Sequence, residues 1–319
     1  MSVLVGIDEA GFGPILGPLV VSSSTFRVPR ERLKEDLWQQ LHRSLGSRRR
    51  HLAGRLLVCD SKKAYTRSSG LRHLERTVRA CLLSLDRRPE TLAELLCLLS
   101  PSCVERLADY PWYADIRDRR LSEIATDLQI AASVFQDDMK AHDIRLLALA
   151  GDCIDVAHYN RMVDSVRNKA SVLFTSTAGL IKQAFDQYGR DDLQIVVDRQ
   201  GGRTRYRDVL QRMFPGTELR ILLEDSTNSS YELTAPNKAM RIHFRVAADQ
   251  TQLPVALASM VSKYVRELMI GCLNDYFRTF STDLQPTAGY WTDGLRFIKD
   301  IQAHLTELNV DQARLVRVR

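Results

Sequence analysis

GIDEAGFGP, residues 6–14, is the stretch on which the fold turns. It continues the apolar run Val3-Leu4-Val5 and sets two adjacent acids, Asp8 and Glu9, at its end, with glycines and a proline around them. A short apolar run that meets glycine and proline predicts a buried strand stopping at a turn. Side chains alternate between the faces of a strand. Val3, Val5 and Ile7 therefore share one face, and Leu4, Gly6 and Asp8 the other. Gly6 is expected to leave a space beside Asp8 on that second face. A carboxylate at a buried strand end is costly unless something positive meets it. One reading is a turn aspartate bonded to backbone, with Glu9 in solvent. The other is a site, because the glycines let a ligand come close to the backbone.

The same pattern recurs further along the chain. Leu56-Leu57-Val58-Cys59 runs into Asp60-Ser61-Lys62-Lys63, Leu193–Val197 runs into Asp198 before Gly201-Gly202, and the β-rich run 240–248 ends in Asp249. If these strands are neighbours, Asp8, Glu9, Asp198 and Asp249 converge at one edge of a sheet. Four such carboxylates cannot all ionise without cations. No cysteine–histidine set suits zinc, and an all-oxygen donor set favours Mg²⁺ or Mn²⁺. Paired hard cations roughly 3.5–4 Å apart are a common apparatus for phosphodiester hydrolysis.

The surrounding residues suit a polyanion. Lys62 and Lys63 follow one strand end, and Arg199, Arg203, Arg205, Arg207 and Arg212 crowd another. A helix opening at Pro254 would point its positive end towards Asp249. Ser259, Lys263 and Arg266 share one face of it; a solvated stripe is the plainer reading of the last two. The basic run Ser47–His51 is either a solvated loop or a contact for phosphates.

Pro18–Phe26 is expected to pair with the first strand as a hairpin. Helical spacing predicts helices over 30–45, 70–85, 89–99 with Pro89 in the first turn, 121–141 (Leu121, Ile124, Leu128, Phe135), 168–188, 254–273 and 295–307. Strands are expected over 144–150, 193–198, 219–224, 230–234 and 240–248, the last two as a hairpin, with an irregular connection at 100–118 and a turn at 286–294. There is no internal repeat. The fold class is α/β.

Composition narrows the function classes. The 319 residues are 45% apolar, enough for a large core, and carry a formal charge of +6. With a pI near 9.0 an acidic partner is plausible, though charge alone does not establish one. No apolar run approaches a membrane span, and the short first run, ending in acids, does not read as a signal peptide. The six cysteines form no CxxC pair and read as reduced thiols, so a cytoplasmic location is expected.

The quoted segments together resemble type 2 ribonuclease H (ribonuclease HII). GIDEAGFGPILGPLVV is similar to that family's opening, and CDSKK at 59–63 to its Asp-Ser-Lys-Lys segment. VVDRQGG at 196–202 resembles its strand-end Asp, DQTQLPVALASMVSKYVREL at 249–268 its Asp-to-helix segment, and Gly289-Tyr290 its late Gly-Tyr motif. The match covers roughly the first 65 residues and 168–295, while 27–55, 85–167 and 225–240 look expanded.

The resemblance implies a ribonuclease H-like fold, a mixed β-sheet flanked by helices, as a single domain over 1–319 with a helical insertion at roughly 66–167. It implies a two-metal endonuclease that hydrolyses the RNA strand of an RNA–DNA hybrid or cuts a ribonucleotide-containing duplex. Asp8, Glu9, Asp198 and Asp249 would be its catalytic, metal-binding acids, with Mg²⁺ or Mn²⁺ as cofactor. Gly11, Phe12, Gly13, Lys62, Lys63, Lys263, Arg266 and Tyr290 would touch substrate.

Two departures stand out. Phe12 replaces the Arg of a Gly-Arg-Gly segment that lies against the nucleic-acid backbone in the family, and Arg199 replaces a Gly. Three other functions stay open. They are a nuclease of this fold on another structured nucleic acid, a non-catalytic nucleic-acid-binding protein and, more weakly, a small-molecule phosphatase.

Overall fold

The protein is described by a computed structural model over residues 1–66, 69–122 and 126–318. Its frame is a seven-stranded sheet of β1 Ser2–Ala10, β2 Leu19–Val28, β3 Arg145–Ile154, β4 Asp192–Asp198, β5 Glu218–Glu224, β6 Asn228–Ala235 and β7 Lys238–Arg245. The spatial order is β3-β2-β1-β4-β7-β6-β5. β1 pairs parallel with β4, and β4 with β7; the other four pairings are antiparallel. The helices of eight residues or more are α1 Arg72–Ser84, α2 Leu92–Leu99, α3 Thr126–Ala141, α4 Val156–Val166, α5 Lys169–Tyr188, α6 Leu253–Arg278 and α7 Trp291–Asp300. This is a mixed β-sheet flanked by helices, as expected.

The alternation of β1 divides the core as its sequence dictates. Val3, Val5 and Ile7 are fully buried in one apolar cluster with Val172, Leu173 and Ile181 of α5. Leu4 lies in the second cluster, with Val255, Leu257 and Val261 of α6 and with the helices drawn from 72–141. The space expected beside Gly6 is not empty. A Cβ at Gly6 would stand 2.1 Å from the Pro254 carbonyl carbon and 2.2 Å from the Val255 nitrogen. The missing side chain lets the start of α6 rest directly on the strand. Ser24 on β2 fixes that contact by donating to the Pro254 carbonyl at 2.7 Å.

Several expectations needed correction. The helix expected over 30–45 is broken into a 3₁₀ turn Arg30–Arg32, one helical turn Leu37–Gln40 and a two-residue strand. Asp36 starts the helical turn afresh by accepting from the Trp38 amide, 2.9 Å. Leu56-Leu57 pairs with Leu45-Gly46 in a separate small sheet rather than joining the main one. Pro89 lies outside α2, whose N-cap is Thr91. The connection at 100–118 holds a helix, Pro101–Leu107, and a 3₁₀ segment, Pro111–Arg117. The strand expected over 144–150 is present as β3, four residues longer at its end, and pairs with β2 in the main sheet. Ile124, placed in the 121–141 helix, lies outside the described residues. The hairpin of β6 and β7, α5 and α6 stand where their periodicity puts them, α6 running five residues further, to Arg278.

Candidate active site

β1 does not stop before its acids. It continues to Ala10, with Asp8 opposite Ser22 and Glu9 opposite Val21 of β2. On its other edge the parallel pairing with β4 ends at Ile7↔Val197, so Asp8 and Asp198 are the next residues on two adjacent parallel strands. β4 in turn pairs Asp198 with Arg245, the last residue of β7. The chain leaves β7, makes the 3₁₀ turn Ala248–Gln250 that carries Asp249, and enters α6 at Leu253. Sheet register thus sets Asp198 beside Asp8, and the turn sets Asp249 beside Asp198.

Two of the carboxylates are anchored. Asp8 accepts from the Glu9 amide at 2.7 Å and from the Ser259 hydroxyl. Ser259 Oγ lies 3.0 Å from Ser61 Oγ, and Ser262 donates to the Asp8 carbonyl at 3.0 Å. Asp198 accepts from the Ala248 amide at 2.6 Å. Sequence reading missed Ser259 and Ser262 as supports for the acids; their spacing on the helix that follows Asp249 was the available signal.

The acids also feel one another. Burial pushes the Asp8 carboxyl well above the ordinary range, and the charges of Glu9 and Asp198 raise it further. Burial and then Asp198 push Glu9 up to about 7, with Lys62 acting the other way. Burial pushes Asp198 up to about 6, the Ala248 amide opposing, and Asp249 adding to the rise. Asp249 is raised by burial and by Asp60, against Lys62 and Lys63. Asp60 is therefore a fifth acid of this edge, which the sequence reading passed over. It caps the helical turn Ser61–Ala64 by accepting from the Lys62 amide at 2.9 Å. Among the described residues no three Asp, Glu, His or Cys side chains are arranged as a set of metal ligands. The donor chemistry nevertheless fits a hard cation, being all oxygen.

The residues expected to meet substrate fall into two groups. Lys62 and Lys63 are exposed beside the acids, Lys63 4.0 Å from Asp60. Gly13 is exposed, with nothing within 4 Å of where a Cβ would be, and Tyr290 is 49% exposed at the N-terminus of α7. Lys263 and Arg266 are instead turned inward. Lys263 bonds Glu267 at 2.5 Å and sits over the Tyr65 ring. Arg266 is 1% exposed, and Nη2 donates to the carbonyls of Leu16 (3.3 Å) and Ala288 (2.9 Å). Neither a phosphate contact nor a solvated stripe describes it; it ties the segment after the glycine loop to the segment before α7. Gly11, at φ +95°, makes room for it, since a Cβ there would stand 2.7 Å from Arg266 Cδ. Phe12 packs against the α5-side core, and the Lys169 ammonium lies 5.4 Å above its ring. Arg199 grips the β5–β6 turn through the Asp225 carbonyl (3.2 Å) and Ser229 (3.0 Å).

No family model and no curated protein matches the sequence. Among solved structures, the chain is similar to RNase HII of Archaeoglobus fulgidus, solved in complex with PCNA, at 16% identity. That alignment covers 99% of this chain and 94% of the other, with a TM-score of 0.46. Ribonuclease H2 of Pyrococcus horikoshii OT3 aligns over 98% and 92% at 12% identity and a TM-score of 0.44. Bst-RNase HIII, solved with Mn²⁺, aligns over 99% and 66% at 14% identity and a TM-score of 0.45. At such identities and scores the likeness gives no residue a role.

Proposed function

We propose that the chain is a divalent-metal-dependent nuclease that hydrolyses the RNA strand of RNA–DNA hybrids. The observation that carries this reading is the acid edge. Asp8, Glu9, Asp198 and Asp249, from two strand ends and a turn, are buried enough and near enough to raise one another's pKa values. A protein bears such a cost where a cation is to be bound. Asp8, Glu9, Asp198 and Asp249 would hold Mg²⁺ or Mn²⁺, which when bound supplies an activated water and neutralises charge on the leaving oxygen.

The chain's own groups do the rest. The Glu9 amide and Ser259 fix the Asp8 carboxylate, and the Ala248 amide fixes Asp198. Lys62 lies near enough to lower Glu9, Asp198 and Asp249, and as an exposed cation it is placed to meet a phosphate. Tyr290, exposed next to Arg266, is available to a sugar, where RNA differs from DNA by its 2′-hydroxyl. The test is cleavage of three matched duplexes, one all DNA, one with a single ribonucleotide and one a full hybrid, with and without Mg²⁺ or Mn²⁺. The reading expects metal-dependent cutting of the hybrid and none of the all-DNA duplex. Cutting of the DNA duplex alone would assign the site to another nucleic acid, and no cutting under any metal would leave a binding protein.

A further inference from the structure

Behind the glycine loop the chain buries a cation that has no hydrogen-bond partner among the described residues. Arg317 is 3% exposed, and its Nε, Nη1 and Nη2 make no hydrogen bond among the described residues. Its backbone is pinned, the amide donating to the Ile15 carbonyl at 2.9 Å. Its guanidinium lies 5.0 Å over the Tyr159 ring. The charged neighbour it feels most is another cation, Arg266, and burial together with that neighbour pushes it down to about 9, still charged at neutral pH. Arg266 has Glu267 and two carbonyls to answer it; among the described residues Arg317 has no acid or carbonyl bonded to it.

Arg317 borders a cavity of about 230 Å³ that is also lined by Phe12, Gly13, Ile15, Tyr159 and Lys169. No acid lines it. Lys169, exposed at the first position of the twenty-residue α5, adds a second cation and brings a helix N-terminus to the same mouth. A buried, unanswered guanidinium beside a small pocket is complementary to an oxyanion, above all to phosphate with its several acceptor oxygens.

We propose that this cavity binds a phosphate oxyanion, with Arg317 as its principal donor and Lys169 at its mouth. The reading of the acid edge as a nuclease site makes the occupant a backbone phosphate of the bound nucleic acid. Phe12 follows Glu9 by three residues, a span of at most about 10 Å, so one strand can reach both places. Free inorganic phosphate is the other source of the same chemistry.

The experiment measures binding, not cleavage, with the full chain in EDTA. Affinity for an RNA–DNA duplex is titrated against salt for the wild type, Arg317→Met and Lys169→Ala, with circular dichroism to report folding. The expected result is about a tenfold loss for Arg317→Met and a salt slope shallower by roughly 1, the mark of one lost phosphate contact. A smaller loss is expected for the exposed Lys169. If Arg317→Met does not fold, Lys169→Ala decides, read with duplexes carrying one uncharged methylphosphonate at successive positions. One position should then weaken wild type but leave Lys169→Ala less affected. If the duplex arms show no change but inorganic phosphate raises the melting temperature of wild type and not of the variants, the occupant is free phosphate. Unchanged duplex affinity and slope together with no effect of phosphate overturns the site. A wild type that binds duplex through Arg317 yet cuts nothing would sink the nuclease reading and leave this one standing.

Discussion

The Gly11–Pro18 loop separates two charged regions built on opposite terms. On one side stand Asp8, Glu9, Asp198, Asp249 and Asp60, three of them (Asp8, Asp198 and Asp60) anchored by amides but all left to repel one another. On the other stand Arg266 and Arg317, both buried, one answered by carbonyls and Glu267 and one not. Anchoring without neutralisation marks a place where a counter-charge is to arrive from outside. A charge answered by fixed protein groups, as Arg266 is through Nη1 and Nη2, marks a structural clamp. Position in sequence does not separate these classes, since Lys263 and Arg266 looked like substrate contacts and are neither exposed nor unpaired.

The sharpest way to break this division is to treat Arg266 as dispensable. Arg266→Met should destabilise the fold by about 3–5 kcal/mol, because Glu267 loses one of its two cations and the Leu16 and Ala288 carbonyls lose their donor. Urea unfolding checks it; a change under about 1 kcal/mol would make Arg266 a surface-type residue after all. Gly6→Ala comes next. Its Cβ would overlap the backbone at Pro254 and Val255, so a loss of about 1–3 kcal/mol is expected, with α6 displaced from the acids. Unaltered stability and unaltered hybrid cleavage in Gly6→Ala would show that the helix needs no such seat.

The acid side should respond with the opposite sign. Glu9 near 7 and Asp198 near 6 lie above their unfolded values, so the folded state holds more protons between roughly pH 4 and pH 7. Stability of the chelator-treated protein should therefore fall as pH rises through that window and level off above it. Glu9→Gln should recover on the order of 2 kcal/mol at pH 7.5 and nothing at pH 4. A melting temperature that rises from pH 4 to pH 7 in chelator would contradict the repulsion.

The smallest effect concerns Phe12. Lys169 already stands over its ring, so Phe12→Arg brings a like charge to an existing cation. It should raise single-ribonucleotide cleavage relative to hybrid cleavage by less than tenfold, and an unchanged ratio would remove Phe12 as a discriminating position.

What the sequence disclosed follows from the range of the forces involved. The two faces of β1 were legible because alternation is local, and α5 and α6 because apolar spacing over many turns is strong. The acid edge was legible because each acid ends an apolar run, and register then brings Asp8 and Asp198 side by side. Asp60 escaped because its capping of the Lys62 amide is an ordinary local role that hides its effect on Asp249. The 30–45 helix failed because Asp36, a stronger start signal than the apolar spacing around it, caps a new turn. Arg317 could not be read at all: residues near 15, 159, 169 and 317 meet only in three dimensions.

The claim at the centre is that the acid edge is a divalent-cation site, and calorimetric titration of Mn²⁺ tests it most directly. Titrations of the wild type, Asp8→Asn, Asp198→Asn and Asp249→Asn, each checked for folding, should show binding in wild type and its loss or severe weakening in all three variants. Mn²⁺ binding of equal strength in the wild type and the variants, or none in the folded wild type with and without hybrid duplex, would contradict the account.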